Sequence, residues 1–211
     1  MSAIQPDFRE RGIKLRNKDT IQVTNNEYVL EERIPGGFQF RTWLVRRKKD
    51  GKHFVAKATP ELSRMAGEIR AYMFFASVVS DFPRRYHPKI EAFDHESNVI
   101  RRGKKIGKIN VILLKYYPHY SYISLEKLLK DKNCTSEVRK RIAGKLKRRI
   151  EKLHDLNLAH GDLHKGNIMV HKTGNGRIGV LLIDFGSSRF RDQHALSKDE
   201  RQLQNILSEL G

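Results

Sequence analysis

Cysteine, long apolar runs and acidic residues are all scarce in this chain. The single cysteine, Cys134, excludes a disulfide framework and is typical of a protein kept in a reducing compartment. No stretch is long and apolar enough to span a bilayer, and the N-terminus shows no signal pattern. Internal repeats and low-complexity tracts are lacking too. We therefore expect a cytoplasmic protein that does not insert into membranes.

The shortage of acidic residues gives the chain a large positive charge. Its 24 Asp and Glu are outnumbered by 42 Lys and Arg, for a net charge of +18 at pH 7. A field of this sign attracts nucleic acid, acidic proteins and anionic surfaces. The basic residues are densest in residues 46–49, 101–108 and 139–152. A charge run is more commonly just a solvated surface, but an excess this large predicts an acidic protein or nucleic-acid partner on a basic surface.

The side chains best suited to chemistry lie at residues 160–167, which read His-Gly-Asp-Leu-His-Lys-Gly-Asn. Two apolar stretches follow, separated by the turn-forming residues 173–176. This pattern predicts a hairpin that returns Asp184 to the side of Asn167. With Asp162, these residues would supply two oxygen ligands for Mg²⁺ and a carboxylate base. Phosphoryl transfer from Mg-ATP needs such a set, because it depends on positioning and charge.

The same loop, followed by Ile-Asp-Phe-Gly at residues 183–186, resembles the catalytic loop and D-F-G element of the protein-kinase superfamily. The resemblance covers roughly residues 28–190. It implies ATP as a cofactor with Mg²⁺, or Mn²⁺ as an alternative metal. It also implies that Asp162 is the catalytic base, which accepts the proton of the substrate hydroxyl, and that Asn167 and Asp184 bind the metal.

Three strands are predicted upstream, at residues 28–34, 40–45 and 53–58. The third contains Val55-Ala56-Lys57, which resembles the V-A-I-K strand of kinases shortened by one residue. The resemblance implies that Lys57 binds the α- and β-phosphates.

The turn between the first two strands contains Gly36 and Gly37. Glycine allows backbone N–H groups to approach a phosphate closely, so both residues are candidates for nucleotide binding. The turn is a poor match to the kinase G-x-G-x-x-G loop, and a plain hairpin would explain it equally well.

A helix is predicted at residues 61–79 from apolar residues at helical spacing. Glu68 lies on the apolar face, where an unpaired carboxylate would be costly to bury. Lys57 is its expected partner, by resemblance to the Lys–Glu pair of active kinases. Glu61 is the rival for this role, although its position also suits an acid at a helix N-terminus.

Residues 115–118 resemble the hinge between kinase lobes, and this likeness implies several contacts with the adenine base. The backbone near Lys115 and Tyr117 would bond to the adenine edge. Leu114 would be the gatekeeper, and Val55 and Met169 would sandwich the ring.

Two features depart from the common kinase pattern. Gly161 replaces the Arg of H-R-D, so we do not expect activation by loop phosphorylation. The form H-G-D-L-H-x-G-N resembles aminoglycoside and fructosamine kinases and the small kinase subunit of the tRNA threonylcarbamoylation complex. His164 stands near the expected γ-phosphate, where it could donate a hydrogen bond or simply cap the loop.

The second departure is that only 25 residues (187–211) follow the D-F-G element, without an A-P-E motif. We therefore expect a minimal kinase that acts on a protein presented by a partner. Compact kinases of this kind also occur in viruses and among effectors that bacterial pathogens deliver into host cells.

Short strands are also predicted at residues 89–93 and 110–114, and helices at 124–130 with Ser124 as N-cap, at about 136–154 and at 197–210. These observations predict an α+β, two-lobed, protein-kinase-like fold. Residues 1–22 would form an arm, 23–115 an N-lobe of antiparallel sheet with one helix, and 116–211 a truncated, mainly helical C-lobe. The predicted function is a minimal Ser/Thr protein kinase. The alternative is a nucleotide-binding or ATPase subunit of an RNA- or protein-binding complex. A small-molecule kinase of the aminoglycoside type is less favoured.

Overall fold

The computed structural model describes residues 13–35, 41–77, 86–118, 121–172 and 177–211. The predicted α+β, two-lobed architecture is confirmed. Strands dominate the N-terminal half and helices the C-terminal half, and the candidate site lies between them.

The N-lobe is a closed antiparallel barrel with the strand order β1-β2-β3-β4-β6-β5. Apolar side chains that alternate along its strands fill the interior, including Tyr28, Leu30, Val45 and Val111. The barrel strands are β1 (Thr20–Val23), β2 (Asn26–Ile34), β3 (Arg41–Arg47), β4 (His53–Thr59), β5 (Ile90–Arg101) and β6 (Lys104–Lys115).

Strand β1 closes the barrel by pairing with both β2 and β5. Its Ile21 and Val23 side chains are buried in the barrel interior. The Arg101 guanidinium holds the strand in place by donating to the Asp19 carboxylate at 2.7 and 2.8 Å. The predicted boundary between arm and N-lobe, at residues 22 and 23, therefore falls inside this strand.

The hairpin of β5 and β6 is much longer than the two short strands predicted at residues 89–93 and 110–114. The sequence pattern is obscured because the pairing register shifts at three places, which breaks the alternation of apolar and polar residues. Because the two strands are so long, only Arg102 and Gly103 remain in the turn between them.

Helix α1 (Leu62–Ser77) joins β4 to β5 and lies between the two lobes. Its buried residues, among them Met65, Tyr72 and Phe75, belong to the same core cluster as the C-lobe helices. The predicted helix reached Val79, but residues 78–85 lie outside the described part of the chain.

The C-lobe packs helices against a small sheet of order β10-β9-β7. Ser124 caps α2 by accepting from the Lys127 N–H, as the sequence predicted. The terminal helix starts four residues before the predicted start at 197, because Asp192 caps it by accepting from the Ala195 N–H. The elements are β7 (Tyr122–Ser124), α2 (Leu125–Leu129), α3 (Ser136–Asp155), β8 (Leu158–Ala159), β9 (Ile168–Lys172), β10 (Ile178–Leu182), β11 (Arg189–Phe190) and α4 (Gln193–Leu210).

Among the described residues, no helix has the length and apolar character needed to cross a membrane.

Candidate active site

A cleft of about 770 Å³ separates the lobes and collects most of the predicted site residues. Strand β4 lies on one side, and the catalytic loop with the hairpin of β9 and β10 lies on the other. The predicted residues in its lining are Val55, Lys57, Leu114, Lys115, Tyr117, Asp162, His164, Asn167, Met169 and Asp184.

Lys57 stands at the centre of the charged end of the cleft. Its ammonium contacts both oxygens of Glu68, at 2.7 and 2.9 Å, and the Asp184 carboxylate at 2.9 Å. Glu68 is fully buried on α1. The alternative candidate, Glu61, is exposed and instead pairs with Arg64 at 2.8 Å.

These contacts shift the pKa values of the charged groups. Burial disfavours the Lys57 ammonium, but Glu68 and Asp184 outweigh this effect and raise the pKa of Lys57. Burial also opposes ionisation of Asp184, yet the charge of Lys57 lowers the pKa of that carboxyl. Lys57 and Asp184 are therefore both charged at neutral pH.

Helix α1 can bring Glu68 to Lys57 because Gly67 lets it pack closely on the backbone after Asp184. A Cβ atom at position 67 would lie 2.5 Å from the carbonyl oxygen of Gly186. Next to this contact, the ring of Phe185 is fully buried and meets Tyr72 and Phe75 of α1 edge-on. The D-F-G segment and α1 thus form one packed unit.

The hairpin places Asn167 close to Asp162 and Asp184. The Ile183 N–H donates to the Asn167 carbonyl at 2.9 Å, which joins the two ends of the hairpin. The Asn167 amide donates to the Asp162 carbonyl at 3.0 Å. Asp184 follows with a backbone φ of +64°, an uncommon value for a non-glycine residue that is found preferentially at functional sites.

Asn167 and Asp184 offer one amide oxygen and one carboxylate to a metal. This small donor set fits Mg²⁺, which commonly binds through one or two protein ligands and takes the rest from phosphates and water. In the described part of the chain, no cluster of three or more His, Cys, Asp or Glu side chains offers an all-protein cage.

His160 is a buried support for the loop. Its Nε2–H donates to the Ile183 carbonyl at 3.0 Å, and its Nδ1 faces the Asp162 N–H at 3.4 Å. The ring also packs on Phe185, with 4.8 Å between centroids. Burial lowers the pKa of His160, so the ring is neutral at pH 7.

Asp199 on α4, which was not predicted as a site residue, anchors the catalytic loop. Its fully buried carboxylate accepts the backbone N–H groups of His160 and Gly161. Nearby, Lys198 donates to the Gly161 carbonyl at 2.7 Å, and Gln202 accepts the Leu163 N–H at 3.1 Å. The sequence does contain a signal for this role, because Asp199 lies on the apolar side of the predicted terminal helix. The same signal identified Glu68 on its helix.

Gly161 has a structural reason to be glycine. Its φ is +80°, and a Cβ atom there would collide with the carbonyl oxygen of Ser187. The arginine found at this position in H-R-D kinases is therefore incompatible with this loop, because the segment after Asp184 packs directly on it.

Of the two roles considered for His164, the structure shows the contact for capping. Its Nδ1 accepts the Gly166 N–H at 3.1 Å and so caps the loop. The proton of the neutral ring is then on Nε2, which lies 3.8 Å from the nearer Asp162 oxygen. Capping thus leaves a donor that faces the candidate base.

The opposite end of the cleft is apolar and suits a purine ring. Val55 and Met169 line it together with Ile34 and Leu181, which the sequence analysis did not select. Ile34 ends the strand before the glycine turn, and Leu181 lies opposite Met169 in the hairpin. Gly36 and Gly37, predicted to cover the phosphates, lie outside the described residues.

Part of the chain is similar to a known protein family. Residues 120–209 match the model of the lipopolysaccharide kinase (Kdo/WaaP) family. A search of curated proteins gave no match.

Solved kinase domains have a similar fold. The BubR1 kinase domain is 15% identical with a TM-score of 0.65, over 85% of this chain and 52% of that domain. Vaccinia related kinase 3 is 14% identical with a TM-score of 0.57, over 84% and 53% respectively. The chain thus spans about half the length of these two structures. The comparisons thus show a protein-kinase-like fold, and the similarity to the lipopolysaccharide kinase family extends over residues 120–209 of the chain.

Proposed function

We propose that the protein transfers the γ-phosphate of Mg-ATP to a hydroxyl group of a macromolecule. The observation that carries the proposal is the convergence of Lys57, Asp162, Asn167 and Asp184 on one cleft with an apolar end. This arrangement provides a site for the adenine ring and a site for the charged triphosphate, with Asp162, the candidate catalytic base, between the lobes.

Each residue has a distinct part in the proposed reaction. Lys57 binds the α- and β-phosphates and is oriented by Glu68, while Asn167 and Asp184 hold Mg²⁺. The bound metal would neutralise charge on the phosphates. Asp162 accepts the proton of the attacking hydroxyl. A new P–O bond forms to the acceptor as the bond to the β-phosphate oxygen breaks, and ADP leaves.

The exposure of the candidate base supports a large acceptor. The Asp162 and His164 side chains are 50% and 54% exposed, so a hydroxyl on a macromolecular surface can approach them from solvent. We propose a protein Ser or Thr hydroxyl as the acceptor. The match to the lipopolysaccharide kinase family favours a second candidate, a sugar hydroxyl of a glycolipid.

The test is incubation with γ-labelled ATP and Mg²⁺ in the presence of cell lysate or purified lipopolysaccharide. We expect labelled species that protease digestion destroys. Label that survives protease and extracts with glycolipid would instead identify the sugar acceptor. Phosphate release without any labelled acceptor would favour an ATPase subunit.

Asp162→Asn is the matched variant for this assay. The side chain is half exposed, so the fold should tolerate an amide of the same size. The amide cannot accept the proton, and we expect transfer to fall at least 100-fold, since general-base catalysis typically contributes about 10²–10⁴-fold. Normal transfer by this variant would refute the assignment of the base.

A further inference from the structure

The excess positive charge is not spread evenly over the surface. On the barrel wall at residues 46–52, four of the five cations form ion pairs: Arg46 with Glu31, Arg47 with Asp50 and Glu91, Lys48 with Glu27, and Lys52 with Asp50. This basic stretch, conspicuous in the sequence, is therefore nearly balanced in the fold.

A different part of the barrel carries cations without such partners. Six exposed basic side chains lie at one end of it, and none forms a direct ion pair among the described residues. Asp19 and Glu96, which attract Arg16 and Lys105 at longer range, are paired with Arg101 and Lys108. We call this set the basic corner; it consists of Lys14, Arg16, Lys18, Arg102, Lys104 and Lys105.

The basic corner is assembled from two segments that are remote in sequence. Arg101 joins them, because its guanidinium donates to the Lys14 carbonyl at 2.8 Å as well as to Asp19. Strand pairing supports this link, since Ile100 lies opposite both Thr20 and Lys105. A Cβ atom on Gly107 would strike the Ile13 side chain, which shows how closely the leading segment packs on the hairpin.

Placing these like charges next to one another does not stabilise the fold. Of the charged residues in 14–19 and 101–105, Asp19 is the only acid, and it is already engaged with Arg101. The remaining six cations repel one another and are available to an anionic ligand.

We infer that the basic corner binds the phosphate backbone of a nucleic-acid duplex. Phosphate contacts need charge but no apolar anchor, and the exposed large apolar side chains of the described chain, Leu62, Met73 and Phe190, all lie elsewhere. Protein interfaces, in contrast, are depleted in Lys and enriched in aromatic residues. Four of the six cations are lysines and no aromatic residue accompanies them, so we expect little base stacking or sequence preference.

The basic corner lies far from the cleft. Strand β6 runs from Lys104 at the corner to Lys115 at the cleft, which is roughly 35 Å of extended chain. A duplex bound at the corner leaves the cleft open, so binding can be measured without nucleotide and does not depend on the proposed catalytic activity.

The test is fluorescence anisotropy with a labelled 20-base-pair DNA duplex and its RNA counterpart, at several salt concentrations. If all six cations contact phosphates of the DNA duplex, log K should fall against log[salt] with a slope of about −5. The triple variant Arg102→Ser/Lys104→Ser/Lys105→Ser should lower the affinity at least tenfold at 0.1 M salt and reduce the slope by about 3. The variant Lys14→Ser/Arg16→Ser/Lys18→Ser should do the same from the other segment.

The matched control removes three exposed cations of α3 without changing helix propensity appreciably, as Lys140→Gln/Arg148→Gln/Lys152→Gln. We expect less than a threefold change in its affinity and an unchanged unfolding temperature for all three variants, since these side chains are exposed. Equal losses in the corner and α3 variants would overturn the inference. A lack of duplex binding at 50 mM salt would also overturn the inference. This holds even if the protein binds polyglutamate or anionic vesicles under the same conditions.

Discussion

At the scale of single residues, the candidate catalytic loop depends on groups that need not touch a substrate. Asp199 accepts two backbone N–H groups of the loop, and His160 connects it to the end of β10 through the Ile183 carbonyl. Both side chains are fully buried. Buried polar groups of this kind are costly when left unpaired, so each fixes the loop in one arrangement.

His160 should make stability depend on pH. Burial lowers its pKa in the folded state, so the unfolded chain takes up the proton first as the pH falls below about 6.5. The contribution of neutral His160 is therefore fully present above this pH and is lost as the pH falls toward the lowered folded value. We expect the free energy of unfolding to decrease from pH 7 to pH 5, by up to about 1.4 kcal/mol per pH unit.

Denaturant titrations of His160→Gln supply the comparison. The amide of Gln can still donate a hydrogen bond but does not titrate, so the variant should lose part of the pH dependence between pH 5 and 6.5. If wild type and variant show the same slope over this range, His160 is not the group responsible.

At the scale of secondary-structure elements, the central contact is the one between α1 and the backbone after Asp184. Gly67 permits it, and the ion pair between Glu68 and Lys57 depends on where α1 lies. A small displacement of this helix would therefore move Glu68 and change the position of Lys57 at the phosphate-binding end of the cleft.

Gly67→Ala should weaken activity through this displacement. The added methyl group meets a backbone carbonyl oxygen at 2.5 Å, which cannot rotate away, so α1 must shift. We expect kcat/KM for ATP turnover to fall about tenfold or more, with a stability loss of about 1–3 kcal/mol.

Gly144→Ala in α3 is the control, because it makes the same chemical change where nothing lies within 4 Å of the new Cβ. It should keep its activity and gain about 0.5–1 kcal/mol of stability from helix propensity. Equal activities in the two glycine variants would contradict the role given to the contact of α1 with Gly186.

The sequence predicts those elements whose formation depends on neighbouring residues, and it does not predict contacts between residues that are far apart in the chain. Helix α2 follows from its cap, Ser124, and helix α3 follows from apolar residues at helical spacing. The closure of the barrel by β1 was not predicted, because it requires pairing with β5, nearly 80 residues away. Asp199 was missed for the same reason, since its partners lie 38 and 39 residues earlier.

At the scale of the whole molecule, Lys57 and Asp184 connect the two lobes across the cleft. In this arrangement the Asp184 carboxylate has Lys57 as its partner at 2.9 Å. A metal that binds to Asp184 would supply a second positive charge beside it. The N-lobe barrel, with the basic corner at its far end, is thus joined to the C-lobe by this charged contact as well as by the packing of α1 on the D-F-G segment.

Thermal unfolding with nucleotide tests this coupling. Mg-ATP at about 100 times its Kd should stabilise the folded chain by about 2.7 kcal/mol, which for a chain of this size raises the Tm by roughly 5–10 °C. Asp184→Asn should retain the smaller shift given by ATP with EDTA but lose the increment that Mg²⁺ adds, because an amide is a much weaker ligand and carries no charge. Glu151→Gln, the same change at an exposed position on α3, should behave like the wild type. An Asp184→Asn protein with the full magnesium increment would show that the metal binds elsewhere, and the assignment of Asp184 would have to be abandoned.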